Sequence, residues 1–178
     1  NTLTAAARAQ SREPQDTTFP PQPGDRNIQR IIPSLVLVNF DMPYTVSGVS
    51  DRHYYGTGLI ADAERGLVIV DRNTVPVAMG DVRITFAGSL EIPGRVEYVH
   101  PLHNLSVVSY DPELIGTTPT RTASFTTSEV LPGDELAVVG LKPDHTVSSQ
   151  NSQVAALEVA NFPLSRTLRF RESNMEGI

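Results

Sequence analysis

The 178-residue chain carries a net charge of −6 and no cysteine, which excludes disulfide bonds, thiol catalysis and cysteine-type zinc sites. The acidic balance argues against a general nucleic-acid surface, which needs a basic stripe. No apolar run approaches the roughly 18 residues that indicate a membrane span, and no targeting segment is visible, so the sequence leaves the compartment open.

The first thirty residues predict a proline-rich linker or arm. Pro14, Pro20, Pro21 and Pro23 stand among polar residues. A segment of this composition cannot bury enough apolar surface to offset the entropy lost on ordering. Within it, Thr4–Gln10 could form one or two helical turns.

The region from Ile31 to about Gly116 predicts a six-stranded β-barrel. Short β-branched runs alternate there with turn residues, a pattern typical of sandwiches and barrels, and the fourteen prolines and twelve glycines suit an all-β protein. The strand candidates are Ile31–Phe40, Gly58–Ala61, Gly66–Val70, Val82–Ala87, Leu90–Ile92, Arg95–His100 and Leu105–Tyr110. The loops and turns are predicted at Tyr44–Tyr55, Gly88-Ser89, Pro93-Gly94 and Pro101–Asn104.

Residues 117–178 predict a threonine-rich connection and further strands. The connection is Thr117–Thr127, and Pro132-Gly133-Asp134 predicts a turn before the next strand. The strand candidates are Glu135–Leu141, His145–Gln150, Gln153–Val159 and Thr167–Arg171. In the last of them apolar and polar residues alternate with a period of two.

The central stretch, Tyr55–Val75, predicts a β-hairpin followed by a polar corner. Two apolar runs flank the polar turn at 62–65. Gly56 and Gly58 bracket Thr57, and their missing side chains allow another backbone or a bulge to come close. After Val70 the apolar pattern breaks into the corner Asp71–Val75, on which the functional interpretation depends.

The hairpin and its corner resemble the Deg/HtrA family of trypsin-like serine proteases. In that family a G-S/T-G motif opens one strand and a T-N-x-H-V type corner ends the next. The matching residues are Gly56-Thr57-Gly58 and Leu67–Val75, and this resemblance places Asn73 where the family has its general-base histidine. A D-[IL]-A-[LV] strand carries the family's orienting aspartate, and the match at 104–108 places Asn104 at that position.

The resemblance therefore implies two vacated triad positions, Asn73 and Asn104, and no catalytic residue, cofactor or metal in this chain. An amide neither accepts a proton from a serine hydroxyl near neutral pH nor stabilises an imidazolium as a carboxylate does. The chain is most similar to the second, degenerate protease module of the large duplicated Deg proteases of plants and fungi. The matching phrases are Ser47–Gly58, Asp71–Val75, Glu91–Asn104, Tyr110–Pro112 and Arg171–Glu176.

The fold that the resemblance implies is an all-β, trypsin/chymotrypsin-like double β-barrel. The expected units are an arm at 1–30, a first barrel at 31–116 and a second barrel at 117–178, in which Pro132–Gly140 matches the family's P-G-D-x-V-x-x-[IV]-G strand. In the family, the nucleophile loop and two more strands follow the region that matches Arg171–Ile178. We therefore expect the second barrel to be truncated here and the stable molecule to contain more polypeptide, since an open barrel edge favours association.

The implied function is that of a proteolytically inactive trypsin-like domain in a larger protease of protein quality control, where it supports oligomer assembly or holds substrate. Two alternatives stay open. The parent polypeptide can be an active, ATP-independent serine endopeptidase, or this domain can bind peptides in the former substrate cleft. The implied partners are an active protease module and PDZ domains of the same polypeptide, unfolded protein or peptide substrate, and further copies of the chain in a trimer.

Four aromatic residues are the candidates for oligomer contacts, with packing in the core as the alternative. They are Phe40, Tyr44, Tyr54 and Tyr55. In trimeric members of the family, aromatic residues near the start of the protease domain pack around the threefold axis, and large aromatic side chains commonly anchor interfaces.

Other polar features have simple structural explanations. His100 and His103 have a spacing that could chelate a metal with Asp111, but surface or turn packing is the better interpretation. His53 lies on the wrong strand for a displaced base. Asn104 also begins an N-x-S glycosylation sequon, and the arginine cluster of Arg166, Arg169 and Arg171 predicts an exposed strand face or a partner-binding patch.

Overall fold

The computed structural model describes residues 25–44, 52–101 and 103–159. These ranges contain a short helix, α1 (Arg26–Ile31), and eight strands. The strands are β1 (Leu35–Asp41), β2 (His53–Asp62), β3 (Leu67–Val70), β4 (Asp81–Phe86), β5 (Leu90–Val99), β6 (Ser106–Tyr110), β7 (Glu135–Leu141) and β8 (Val147–Gln153), with 3₁₀ turns at Ile32–Ser34 and Pro112–Ile115. None of the described helical segments has the length and apolarity needed to cross a membrane.

Six strands close into an antiparallel barrel, as predicted. Their order is β1-β2-β3-β6-β5-β4, and β4 pairs with β1 to complete the ring, so none of these strands keeps an open edge. Inward-facing side chains recur at every second residue, and Val36, Val38 and Phe40 of β1 are 0% exposed. The other interior residues are Ile60, Val68, Val70, Val82, Ile84, Phe86, Ile92, Val108 and Tyr110.

The chain enters this barrel through a short helix rather than through a long first strand. The Asp25 carboxylate accepts a hydrogen bond of 3.1 Å from the Asn27 N–H and caps α1. Pro33 then lies in the first turn of the 3₁₀ segment, where the backbone does not require a hydrogen bond from the N–H that proline lacks. The predicted strand Ile31–Phe40 is therefore wrong in its first four residues. The end of the predicted arm, at 26–29, is helical, and residues 1–24 lie outside the described ranges.

β5 is one continuous strand, so the turn predicted at Pro93-Gly94 is wrong. Pro93 pairs opposite Arg83 of β4 within the ladder. A Cβ on Gly94 would lie 2.9 Å from the Ile84 Cδ1 and 3.0 Å from the Ser109 carbonyl oxygen. Glycine here lets the strand pass closely over its neighbours instead of turning, which is a recognised use of glycine inside barrels.

Two further predicted boundaries differ from the structure. The predicted loop Tyr44–Tyr55 ends early, because β2 begins at His53, which pairs opposite Asp41. The strand predicted at Gln153–Val159 is absent from residues 154–159. The Val154 N–H still donates to the Asp134 carbonyl at 2.9 Å, in register with the β7–β8 ladder, but residues 155–159 form no strand.

The second half of the described chain is an open hairpin. β7 pairs only with β8 among the described residues, and the register runs from Glu135↔Gln153 to Leu141↔Val147. Leu136 is 45% exposed and Val138 is 61% exposed, whereas the inward-facing apolar side chains of the first barrel are buried. The predicted strand Thr167–Arg171 and the arginine cluster at 166–171 lie outside the described residues.

Substitution of Gly58 should test how tightly the barrel is packed. A Cβ at this position would lie 2.6 Å from the Val68 Cγ1 and 2.8 Å from the Val38 Cγ2. Because overpacked cores must shift backbone or rotamers, we expect Gly58→Ala to lower the free energy of unfolding by about 1–3 kcal/mol. Urea unfolding measures the loss, with the exposed Ser149→Ala in β8 as control. Equal stability of the two variants would contradict the packing described here.

Candidate functional site

The polar corner after β3 is held by its own first residue. The Asp71 carboxylate accepts hydrogen bonds from the Thr74 N–H at 3.0 Å and from the Thr74 hydroxyl at 2.5 Å. The Asp71 carbonyl accepts a further bond from the Val75 N–H at 3.2 Å. An aspartate that bonds the backbone and side chain three residues later is a common way to fix a turn. Asn73 lies at the exposed tip of this corner.

Gly56 allows the corner to rest directly on β2. A Cβ at Gly56 would lie 2.1 Å from the Thr74 Oγ1 and 3.1 Å from the Asp71 Oδ2. Any side chain at this position would therefore displace the hydrogen-bonded pair that holds the corner. The close approach that the sequence predicts for the first glycine of the G-T-G motif comes from side chains of the corner, not from a backbone.

Asn104 joins the loop before β6 to the same corner. Its Oδ1 accepts a hydrogen bond of 2.8 Å from the Arg72 N–H, one residue before Asn73. The Arg72 side chain returns to that loop and its Nη1 donates to the Pro101 carbonyl at 3.0 Å. Arg72 is only 5% exposed, and this burial lowers the pKa of its guanidinium from the usual value. The structure thus brings the two sequence-predicted triad positions to one place and links them through Arg72.

Ser106 adds a buried hydrogen bond to the corner. Its side chain is 0% exposed, and its Oγ donates to the Val75 carbonyl at 2.8 Å. The serine of the Asn104 sequon is therefore enclosed, and its hydroxyl already serves the corner. Glycosylation needs an exposed acceptor segment, so the folded structure does not present this sequon.

The chemistry available at this corner is structural hydrogen bonding. Asn104 accepts a hydrogen bond from a backbone amide, as an aspartate there could, but it carries no charge with which to stabilise an imidazolium. Asn73 has no group that takes up a proton near neutral pH. A search of the described residues finds no cluster of three side chains suited to holding a metal ion.

Thr57 connects the barrel to the hairpin β7–β8. Its hydroxyl accepts a hydrogen bond of 2.7 Å from the Leu141 N–H and lies 3.4 Å from the Leu141 carbonyl, to which it donates. Gly140 permits this approach, because a Cβ there would lie 3.1 Å from the Thr57 Oγ1. The middle residue of the G-T-G motif is therefore the point at which β7 is attached to β2.

The four predicted aromatic contacts occupy different environments. Phe40 is fully buried in the barrel, and its ring centroid lies 6.5 Å from that of Tyr54. It could therefore influence an oligomer contact only through the residues that pack against it. Tyr54 is half-buried, and Tyr55 is 57% exposed. The Tyr44 hydroxyl donates to the carbonyl of Met79, whose side chain is 72% exposed.

The histidines lie apart from the corner residues described above or serve in turns. His53 contacts the Asp41 carboxylate at 2.5 Å, and Arg83 contacts the same carboxylate. The hydrogen bond from His53 is the largest of the interactions that lower the pKa of Asp41, and Arg83 adds to it. His100 accepts a hydrogen bond at Nδ1 from the His103 N–H at 2.9 Å, which is the turn packing that the sequence favours.

Sequence reasoning missed the residues that hold the corner together. Arg72, Asp71 and Thr74 appear in the sequence only as members of a polar phrase, and a buried arginine cannot be told from an exposed one by pattern. The one usable signal was the Asp-x-x-Thr spacing, which is typical of a turn fixed by its aspartate.

Three curated relatives resemble this chain over most of its length. It is 35% identical over 148 residues to a protein of Schizosaccharomyces pombe named PDZ domain-containing protein C23G3.12c, and the match covers 83% of the chain and 15% of the relative. It is 36% identical over 122 residues to the pro-apoptotic serine protease NMA111 of Saccharomyces cerevisiae, covering 68% and 12%. It is 34% identical over 163 residues to Protease Do-like 7 of Arabidopsis thaliana, covering 83% and 14%. The chain thus spans about one seventh of these relatives.

Solved structures identify the fold. A crystal structure of Deg5 matches with a TM-score of 0.57 at 14% identity, covering 74% of this chain and 62% of that one. The HtrA-type protease AlgW with tripeptide matches with a TM-score of 0.56 at 14% identity, covering 72% and 38%. No protein-family model matches the chain. These likenesses confirm the prediction of a trypsin-like barrel fold.

Substitution of the two asparagines should show which of them contributes to the stability of the fold. Asn104→Ala removes the acceptor of the Arg72 N–H, and we expect it to lower the free energy of unfolding by about 1–2 kcal/mol. Asn104→Asp keeps an acceptor oxygen and should recover most of this loss. Asn73→Ala changes an exposed side chain and should shift stability by less than about 0.5 kcal/mol. Urea unfolding of the three variants measures these differences, and equal losses at both positions would refute the assignment.

Proposed function

The chain belongs to the Deg/HtrA family of trypsin-like serine proteases, and from this membership we propose that its own domain does not cleave peptides. The observation that carries the proposal is the hydrogen bond from the Arg72 N–H to the Asn104 Oδ1, beside the exposed Asn73. Two amides occupy the corner at which the resemblance places the histidine and the aspartate.

The size of the expected loss in catalytic rate supports the proposal of an inactive domain. A serine hydroxyl becomes a nucleophile when a neighbouring base takes its proton, and the base is oriented by a carboxylate. Replacing that carboxylate alone by an amide lowers the rate of a trypsin-like enzyme by about 10⁴-fold. With both the base and the carboxylate replaced, substrate binding and oxyanion stabilisation would be the only contributions open to such a domain.

We propose that the domain serves instead as a rigid body in a larger protease, where it supports oligomer assembly or holds substrate. The closed barrel with its fully buried interior supports the scaffold role, because it offers a stable surface that needs no catalytic residue. The relatives are about seven times longer than the matched segment. One of them is named for a PDZ domain, and this supports protease and PDZ modules as neighbours in the same polypeptide.

The second candidate is that the complete protein is an active serine endopeptidase. The names of the yeast and Arabidopsis relatives, a serine protease and a protease, support it. It is compatible with an inactive domain here, provided that another segment of the longer polypeptide carries the catalytic residues.

Catalysis can be tested in a polypeptide that contains this segment with the flanking segments that its relatives have. Casein cleavage should be abolished by a serine-directed inhibitor, whereas Asn73→Ala should leave the rate unchanged, because Asn73 takes no part in proton transfer. Purified 178-residue chain should not cleave casein at all. A drop of about 10²-fold or more in Asn73→Ala, without loss of folding, would overturn the inactive-domain proposal.

Self-association can be tested with two exposed tyrosines on the same barrel. Tyr55, next to Tyr54 on β2, is 57% exposed, whereas Tyr98 is 48% exposed on β5. If aromatic side chains anchor a trimer there, Tyr55→Ala should shift the particle toward the monomer and Tyr98→Ala should not. Light scattering coupled to size exclusion measures the mass. Equal masses of both variants, or a monomer before substitution, would count against the contact.

A further inference from the structure

The segment that links the barrel to β7 is an extended strap over the barrel surface. We call residues 117–131 the connector. The Arg121 N–H donates to the Pro33 carbonyl at 3.0 Å, and the Ala123 N–H donates to the Ile60 carbonyl at 2.8 Å. Because alternate residues bond the barrel from one side, this stretch has the period of an extended chain. After Ala123, which is 9% exposed, every connector residue is exposed.

The connector carries eight serine and threonine residues, and their hydroxyl groups differ in burial and in hydrogen bonding. Thr118 is 5% exposed. The Thr122 hydroxyl accepts a hydrogen bond of 2.9 Å from the Ala63 N–H, and the Thr126 hydroxyl accepts one of 3.0 Å from the Ser128 N–H. Ser124 is exposed, and its hydroxyl has no hydrogen-bond partner in the described part of the chain. It is also the one connector hydroxyl that has an arginine three residues before it.

We propose that Ser124 is a phosphorylation site for an arginine-directed protein kinase. The local sequence is Arg121-Thr122-Ala123-Ser124-Phe125, and both Arg121 and Phe125 are exposed. A guanidinium makes strong bidentate bonds with the carboxylates of a kinase cleft, and the 63% exposed Phe125 ring can enter an apolar pocket beside the acceptor. The backbone before Ser124 is extended at residues 121–123, and an extended chain is the form in which such a cleft binds its substrate.

The reaction is a phosphoryl transfer from a nucleoside triphosphate. The Ser124 Oγ forms a bond to the γ-phosphorus as the bond from that phosphorus to the β–γ bridging oxygen breaks. The hydroxyl proton passes to the carboxylate base of the kinase, and a nucleoside diphosphate leaves. The local opening required is at three bonds that attach the connector to the barrel: the backbone bonds of Arg121 and Ala123, and the bond from the Ala63 N–H to the Thr122 hydroxyl.

The added phosphate would change the charge of the connector without disturbing the barrel. A phosphoserine carries about −1.5 to −2 charges at neutral pH, on a chain whose net charge is −6. The nearest cation along the chain is Arg121, three residues before it. Since the Ser124 side chain is exposed, we expect the midpoint of thermal unfolding to stay unchanged on phosphorylation.

The test uses a folded polypeptide that contains this segment with the flanking segments that its relatives have, a purified arginine-directed serine/threonine kinase and ATP with magnesium, with the phosphorylated position read by mass spectrometry. Within residues 117–131 we expect one phosphate, on Ser124. Ser124→Ala should abolish it, and Arg121→Ala should slow it by about tenfold or more, because one charge-assisted pair is lost. Thr127→Ala, the matched control in the exposed part of the connector, should leave the rate unchanged.

Three results would overturn the proposal. The first is phosphate at another connector hydroxyl in place of Ser124. The second is an equal rate for Arg121→Ala and the unmodified chain. The third is phosphorylation that occurs only after the chain has been unfolded by heat, since the proposal depends on Ser124 being accessible in the folded state. Thermal unfolding of Ser124→Ala and Arg121→Ala establishes that both variants are folded when assayed.

Discussion

The antiparallel pairing of β3 with β6 determines the rest of the candidate site. Val70 pairs opposite Ser106, so the residues that follow β3 and those that precede β6 must leave the barrel side by side. The corner Asp71–Val75 and Asn104 are therefore neighbours although they are about thirty residues apart in sequence. Because polar backbone groups at the end of a buried strand need partners, this geometry demands an acceptor at position 104, and the Asn104 carboxamide provides it.

This demand explains how the corner can keep its shape if, as we propose, it takes no part in proton transfer. The bonds within the corner come from Asp71 and Thr74, and the bond across it comes from Asn104. None of them needs an ionised histidine or a nucleophile. An amide has the acceptor oxygen of a carboxylate but not its charge. It therefore accepts the hydrogen bond from the backbone N–H but does not support proton transfer. Selection for the fold alone would maintain such residues.

The G-T-G motif shows how three consecutive residues can serve three separate contacts. Gly56 lies under the Thr74 side chain, Thr57 bonds the Leu141 backbone, and Gly58 faces the valines inside the barrel. In a strand, successive residues face opposite sides, so Thr57 contacts the hairpin on one side while the two glycines serve the corner and the core on the other. It is the point through which the candidate site, the second sheet and the barrel are mechanically joined.

The sequence by itself determined the all-β class, the central hairpin and the six-strand barrel, which follow from local periodicity and from turn signals within a few residues of one another. The proposal that Asn73 and Asn104 stand at the triad positions rests on the resemblance of two short motifs to the Deg/HtrA family. Only the tertiary structure decided that Pro93-Gly94 continues a strand, that Arg72 is buried against the Pro101 carbonyl and that Ser106 is enclosed. Each depends on atoms brought by distant strands, and the burial of a side chain is set by what packs over it, which no local pattern specifies.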